Sequence, residues 1–364
     1  MPTKPLPENP SLDHLKYQAK DLLREQSRRE SGAAQRLREF QPKLREATDE
    51  QIFATDLSLS DAQLAIAREY GFASWTRLKR HIERPGQSDS LKRPHHERIE
   101  DPVFRRAVDL IDSGNVPELA RLLAENPGLV RQHVLFEGGN YFCNPTLLEF
   151  VAENPVRHGA LPANIVEVAA TILRTGPELS ARSATLLLVA TGRVPRECGV
   201  QQRLIETLCA HGAEANSALL PALLHGEFGA AETLILLGAS PNLPALAALG
   251  RTVEFLSLLP SSKPEERHLA LAIAAQHGRI EVVRLLVDRG EDPNRYNPPG
   301  AHSHSTPLHQ AVLAGHRDVV ALLVQRGAKL DIKDLLWDGT PADWAHHAGK
   351  PEIEQYLRRT AEAS

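Results

Sequence analysis

Along the C-terminal third of the chain, apolar residues come in short bursts of helical spacing separated by glycines. Leu308, Ala311 and Val312 share one face of a short helix. Gly315 is placed to end that helix in a left-handed turn. Val319, Val320, Leu322 and Leu323 then form the apolar face of a second helix, which stops at Gly327-Ala328. Thr306 stands where a hydroxyl caps the first helix, and Pro307 fits its first turn because the missing N–H would be unpaired there anyway.

The same cadence recurs on both sides. Thr340 follows Thr306 by 34 positions and opens Thr340-Pro341-Ala342-Asp343-Trp344-Ala345, while Gly278 precedes Gly315 by 37 and lies between two further apolar runs. Arg358-Arg359 gives the last helix a polar finish, as a terminal unit needs. Residues 204–213 and 233–239 read as second-helix endings, and residues 246–259 as a shortened unit. Residues 104–126 and 146–176 read as two more units, the latter with an insertion around 157–162. About seven or eight helix pairs follow, none able to bury its apolar face without a neighbour.

The first hundred residues carry a different pattern. Leu12, Leu15, Ala19, Leu22 and Leu23 lie on one face of a helix over residues 11–29, with Ser11 as its cap. Further helices are expected over residues 33–40, from Ser60-Asp61 to Gly71, and from Ser74 to about Glu83. Pro85-Gly86-Gln87-Ser88-Asp89-Ser90 has linker composition. The expected organisation is therefore a helical domain over residues 1–84, a linker over 85–97 and repeats over 98–360.

Composition narrows the reading. Only 5% of residues are aromatic against 42% hydrophobic, so Ala and Leu must supply most of the packing, which suits thin stacked helix pairs. No window approaches the roughly 18 apolar residues of a membrane span, and the first residues lack the apolar stretch of a secretory signal. Cys143, Cys198 and Cys209 are far apart and without C-x-x-C spacing, so buried free thiols are expected.

The run Thr306-Pro307-Leu308-His309-Gln310-Ala311 resembles the T-P-L-H-x-A signature of ankyrin repeats. Residues 64–79, 146–154 and 297–305 together resemble a group of bacterial ankyrin-repeat proteins. The resemblance covers nearly the whole chain and implies an all-α ankyrin-repeat solenoid in a bacterial cytoplasm, and a protein-binding scaffold as its general role. It supplies no activity.

Candidate chemistry is sparse. The loop before the best repeat, residues 294–305, is longer than the equivalent loop of other units and carries Tyr296, Asn297, two prolines, Gly300, His302 and His304. Prolines limit the entropy lost on binding, and Tyr and His offer amphipathic rings. With Trp337 on the next such loop, or finger, Tyr296, Asn297, His302 and His304 form a candidate contact patch for an unidentified protein partner. Alternatively, the prolines shape a tight turn and the histidines bond backbone. Asn154 is a weak candidate for holding a polar small molecule, with a helix-end cap before Pro155 as the alternative.

Other classes find little support. His302 and His304 lack the further ligands a zinc site needs, so no metal or cofactor is expected. No P-loop, G-x-S-x-G, Rossmann or H-E-x-x-H pattern is present, so no enzyme is expected. Residues 67–74 have the outline of a helix-turn-helix turn, but Arg77 and Arg80 stand where that motif buries apolar residues, and acidic side chains nearly balance basic ones. The reading is a non-catalytic scaffold that binds through its concave surface. The alternative is a small-molecule or metal-responsive sensor near the His302–His304 loop.

Overall fold

The computed structural model describes residues 4–7, 10–72, 74–83, 93–136 and 141–363. Among them every regular element is a helix, and the only β feature is an isolated bridge between His133 and Thr146. Of the expected linker, residues 85–92 lie outside the described residues. The chain divides into two compact units, Met1–Ile82 with Asn242–Ser364, and Glu83–Pro241.

The first unit begins with helices α1 (Leu12–Ser27), α2 (Ser31–Phe40), α3 (Asp49–Ala54), α4 (Leu59–Glu69) and α5 (Trp75–Glu83). Ser11 caps α1 as expected, its hydroxyl accepting from the His14 N–H at 3.4 Å. The α4 helix starts from Ser58, not Ser60, because Ser58 and Asp61 bond reciprocally. Sequence periodicity does not reveal α3, which is too short to show a face. Its start is nonetheless written in the Thr48–Gln51 capping pair. Leu15, Leu22, Leu37, Ile52, Ile66 and Leu78 are fully buried in a core drawn only from these helices and their connections. Each contributes roughly 1.5–3 kcal/mol by leaving water.

The rest of this unit is four helix pairs in two layers. Helices Leu243–Leu249, Pro264–Gln276, Pro307–Ala314 and Pro341–His347 pack in sequence along one layer, and Ile280–Val287 packs on Arg317–Gln325 in the other. Gly278 shows why the glycine between paired helices is needed. It has a φ of +66°, and a Cβ there would lie 2.6 Å from the His316 ring, which bonds the Gln276 carbonyl of the same turn.

The second unit also holds four pairs. Pro102–Asp112, the helical turn Leu147–Ala152, Leu179–Ala190 and Ala215–Leu224 follow one another in one layer, while Val116–Glu125, Ile165–Leu173, Gln201–Ala210 and Phe228–Leu236 form the other. The insertion after residue 152 is anchored by charge. Glu153 adopts a left-handed φ of +47°, and its carboxylate accepts from the backbone N–H groups of Arg157, His158 and Gly159. The Arg157 side chain is 1% exposed, pairs with Asp112 at 2.7 and 2.8 Å, and lies 3.0 Å from Glu153. Cys198 is exposed and Cys143 and Cys209 are half-buried. The expectation of buried thiols is therefore corrected: Cys198 sits just past a short helix, on its outer end.

Arg157→Ala leaves the buried Glu153 carboxylate without its cation. The expected cost is about 3–5 kcal/mol, read as a lower urea midpoint. Arg193→Ala, which removes an exposed i,i+4 pair, is expected to shift the midpoint only slightly.

Candidate functional site

The candidate patch lies in the first unit, on two successive fingers. The finger over residues 294–305 is folded by its own backbone. Ala301 N–H donates to Pro298 O at 3.0 Å, with Pro299 and Gly300 at the turn centre and Gly300 at a φ of +87°. Asn297 N–H donates to Ser305 O at 2.8 Å and closes the loop. The Ser305 hydroxyl donates to His302 O and accepts from the Gln310 amide at 2.8 Å.

The next finger is clasped by one carboxylate. Buried Asp334 accepts from the N–H groups of Leu336, Trp337 and Gly339 and from the Trp344 indole, all at 2.8–3.0 Å. Burial alone would raise this carboxyl, but the indole and the three backbone donors hold it below the usual range. His309 joins this finger to its own helix. Its Nε2 donates to Gly339 O at 3.2 Å, so Nδ1 accepts from Thr306, whose hydroxyl lies 2.8 Å away. Leu335 N–H donates to His304 O at 2.8 Å, and the Tyr296 hydroxyl donates to Lys333 O at 2.8 Å, so the two fingers are cross-tied.

Rings gather on this frame. His304 lies 5.2 Å from Trp337 and 5.8 Å from Trp344, His309 lies 5.0 Å from Trp344, and His302 lies 6.1 Å from His304. Burial pushes His304 and His309 each down to about 4, neighbouring histidines adding to the effect at His304. The N-terminal helices lie against the same loops. Gln35 donates to Asn297 O at 3.2 Å, the Ser303 hydroxyl donates to the Glu39 carboxylate, and Gly32 on α2 faces Leu335. Burial, with Glu69 nearby, pushes Glu39 up to about 7.

Residues 245–334 match the family of ankyrin repeats (3 copies). The chain is 31% identical over 120 residues to cyclin-dependent kinase 4 inhibitor B of Bos taurus, covering 91% of that protein and 25% of this chain. It is 30% identical over 123 residues to cyclin-dependent kinase inhibitor 2A of Homo sapiens, covering 76% of that protein and 33% of this chain. A third relative is ankyrin repeat and SAM domain-containing protein 6 of Mus musculus, 33% identical over 98 residues, 11% of that protein and 27% of this chain. The chain belongs to the ankyrin-repeat family.

The expected all-α ankyrin fold therefore holds. Of the candidate patch, the two ankyrin fingers bring His302, His304 and Trp337 into one aromatic cluster, but they expose its members unequally. Trp337 is 58% exposed, and Tyr296 and His302 are partly exposed. His304 is 7% exposed and Asn297 fully buried, because the loop turns both inward and α2 covers it; Asn297 serves the loop's own hydrogen bonds. Asn154 belongs to the other unit, and its amide is fully engaged. Its oxygen accepts from the Tyr141 hydroxyl at 2.6 Å, and its nitrogen donates to Leu188 O and Thr191 Oγ1. It is not the C-cap of its own helical turn, a place taken by Glu153, but its amide satisfies a last-turn carbonyl of helix Leu179–Ala190.

Asp334, Glu39, Ser303 and Gln35 are the residues that sequence reading missed. Asp334 stands five residues before Gly339, with Asp338 next to that glycine, which is a weak turn signal. Nothing local marks the pairing of Glu39 with Ser303 across 264 positions. Among the described residues no group of three or more His, Cys, Asp or Glu could hold a metal, and no helix is long and apolar enough to cross a membrane.

The buried imidazoles set a pH dependence. Each is neutral when folded and takes a proton near 6.5 when unfolded, so its stability is present above 6.5 and lost as pH falls towards 4. Glu39 acts in reverse, losing stability as pH rises from 4.5 to about 7. Each ten-fold change in proton affinity is worth about 1.4 kcal/mol, and two imidazoles stand against one carboxyl. Stability in urea is therefore expected to fall between pH 6.5 and 4, the histidines accounting for a few kcal/mol. A His304→Asn, His309→Asn double variant should show a flatter profile.

Proposed function

We propose that this protein is a non-catalytic scaffold that holds a protein partner on the fingers of its C-terminal ankyrin repeats, Trp337 being the anchor. The observation that carries the reading is a large, 58% exposed indole on a finger that is otherwise rigid. Exposed Trp on a fixed backbone combines large contact area with little entropy to lose, which is the profile of an interface anchor. The clasp of Asp334 and the cross-ties from Leu335 and Tyr296 supply that rigidity. Tyr296 and His302 extend the contact surface beside it, with His304 supporting from beneath.

The relatives support a protein as partner. Two of them are named as inhibitors of cyclin-dependent kinases, which are proteins. Their particular target is not carried over. The setting in this reading is the bacterial cytoplasm that the resemblance implies.

Capture from lysate with full-length protein tests it. Trp337→Ala is expected to keep the wild-type helical circular dichroism and lose the captured protein. Asn154→Ala, in the other unit, is expected to retain it. Capture that survives Trp337→Ala would remove the finger from the interface.

A further inference from the structure

The N-terminal helices are built as a module of their own. Every residue of their apolar core, and every partly buried apolar side chain packed on it, comes from residues 6–82. The seam joining them to the ankyrin fingers is different in character. It is made by one face of α2, where Gly32 lies against Leu335, Gln35 donates to Asn297 O, and Glu39 accepts from Ser303. These three positions have the spacing i, i+3 and i+7, the stripe by which a helix lies in a groove.

The seam mixes polar and apolar side chains and is unevenly closed. Around Glu39 it is tight, leaving a void of about 10 Å³ among Arg36, Phe40, His304 and Leu335. Farther along, a groove of about 960 Å³ runs between Gln35 and Arg38 on one side and His268, Tyr296 and Pro298 on the other. Glu39 is held by a hydroxyl, while Arg36 beside it is committed to Glu69 and Glu25. A desolvated carboxylate answered by a neutral donor makes this contact weaker than the apolar core behind it. The seam is therefore the part of the unit that opens most easily.

We propose that the finger face around residues 297–305 and 335–336 is a helix-binding surface, held closed by α2 and opened to a partner helix that presents a small residue, an amide and a carboxyl group at i, i+3 and i+7. The α2 helix is then an internal stand-in for the partner, and its release uncovers Asn297, Ser303 and His304. This rests on the reading of the fingers as a contact surface and adds what kind of partner they take and how access is controlled.

Hydrogen exchange on the full-length chain tests it without any partner. Glu39→Arg sets a long cation against Ser303 and His304. It should speed exchange in α2 and in residues 297–305 by about ten-fold or more, while Pro307–Ala314 and Arg317–Gln325 keep wild-type protection. Glu39→Gln keeps the shape and the Ser303 contact without the charge, and should slow exchange in the same two segments; it serves if the arginine variant does not fold. A lactam-stapled peptide of residues 29–42, added to Glu39→Arg, should restore protection to the finger, and the same peptide with Gln35→Ala and Glu39→Ala should not. Exchange rising equally in all helices, or a finger indifferent to Glu39→Gln and to the peptide, would overturn the proposal. Failure to capture a partner in lysate leaves these readouts unmoved, so the two failures are distinguishable.

Discussion

A buried, neutral imidazole spanning two successive fingers is the contact on which the C-terminal repeats depend. His309 accepts from Thr306 at the start of its own helix and donates to Gly339 in the next finger. One side chain thus satisfies the helix start and fixes the distance to the following repeat. His268 makes the second of these two bonds one unit earlier, donating from Nε2 to Tyr296 O at 2.8 Å, while Glu266 serves its helix start. Helix stacking is driven by apolar burial, which has no direction; these bonds supply the register.

Once the fingers are tied in this way, their irregular backbone needs few outside partners. Asp334 answers three backbone N–H groups and an indole, and Asn297 and Ser305 close the longer loop on itself. Only a few large side chains are left facing outward, Trp337 foremost. The inward-facing remainder of the loop gives α2 a place to sit. The arrangement joins a rigid apolar stack to a mixed polar and apolar seam, so firmness and access reside in different contacts.

Much of this was legible in the chain. Periodic Leu, Val and Ala with glycine punctuation located the helix pairs, since each pair must hide one stripe and turn tightly. Ser11 was a correct cap, while Ser60 lost to Ser58 because a carboxyl three residues on made Ser58 the better partner. The patch was found by its unusual loop length and rings, but the burial of Asn297 and His304 was not foreseen. Burial there depends on helices more than 250 positions away, and local pattern carries no trace of such contacts. Asn154 drew notice for standing before Pro155 at the end of an apolar run, yet the partners that occupy it, Tyr141, Leu188 and Thr191, could not be read from its neighbours.

The most direct test is the protonation state of His309, read from the nitrogen shifts of a histidine-labelled full-length sample and assigned by comparison with His309→Gln. The expected result is a neutral ring with its proton on Nε2 and slow solvent exchange of that proton, persisting from pH 7 to well below 6. A ring protonated near pH 6.5, or carrying its proton on Nδ1, would mean that the bond to Gly339 does not form and that the fingers are not held as described.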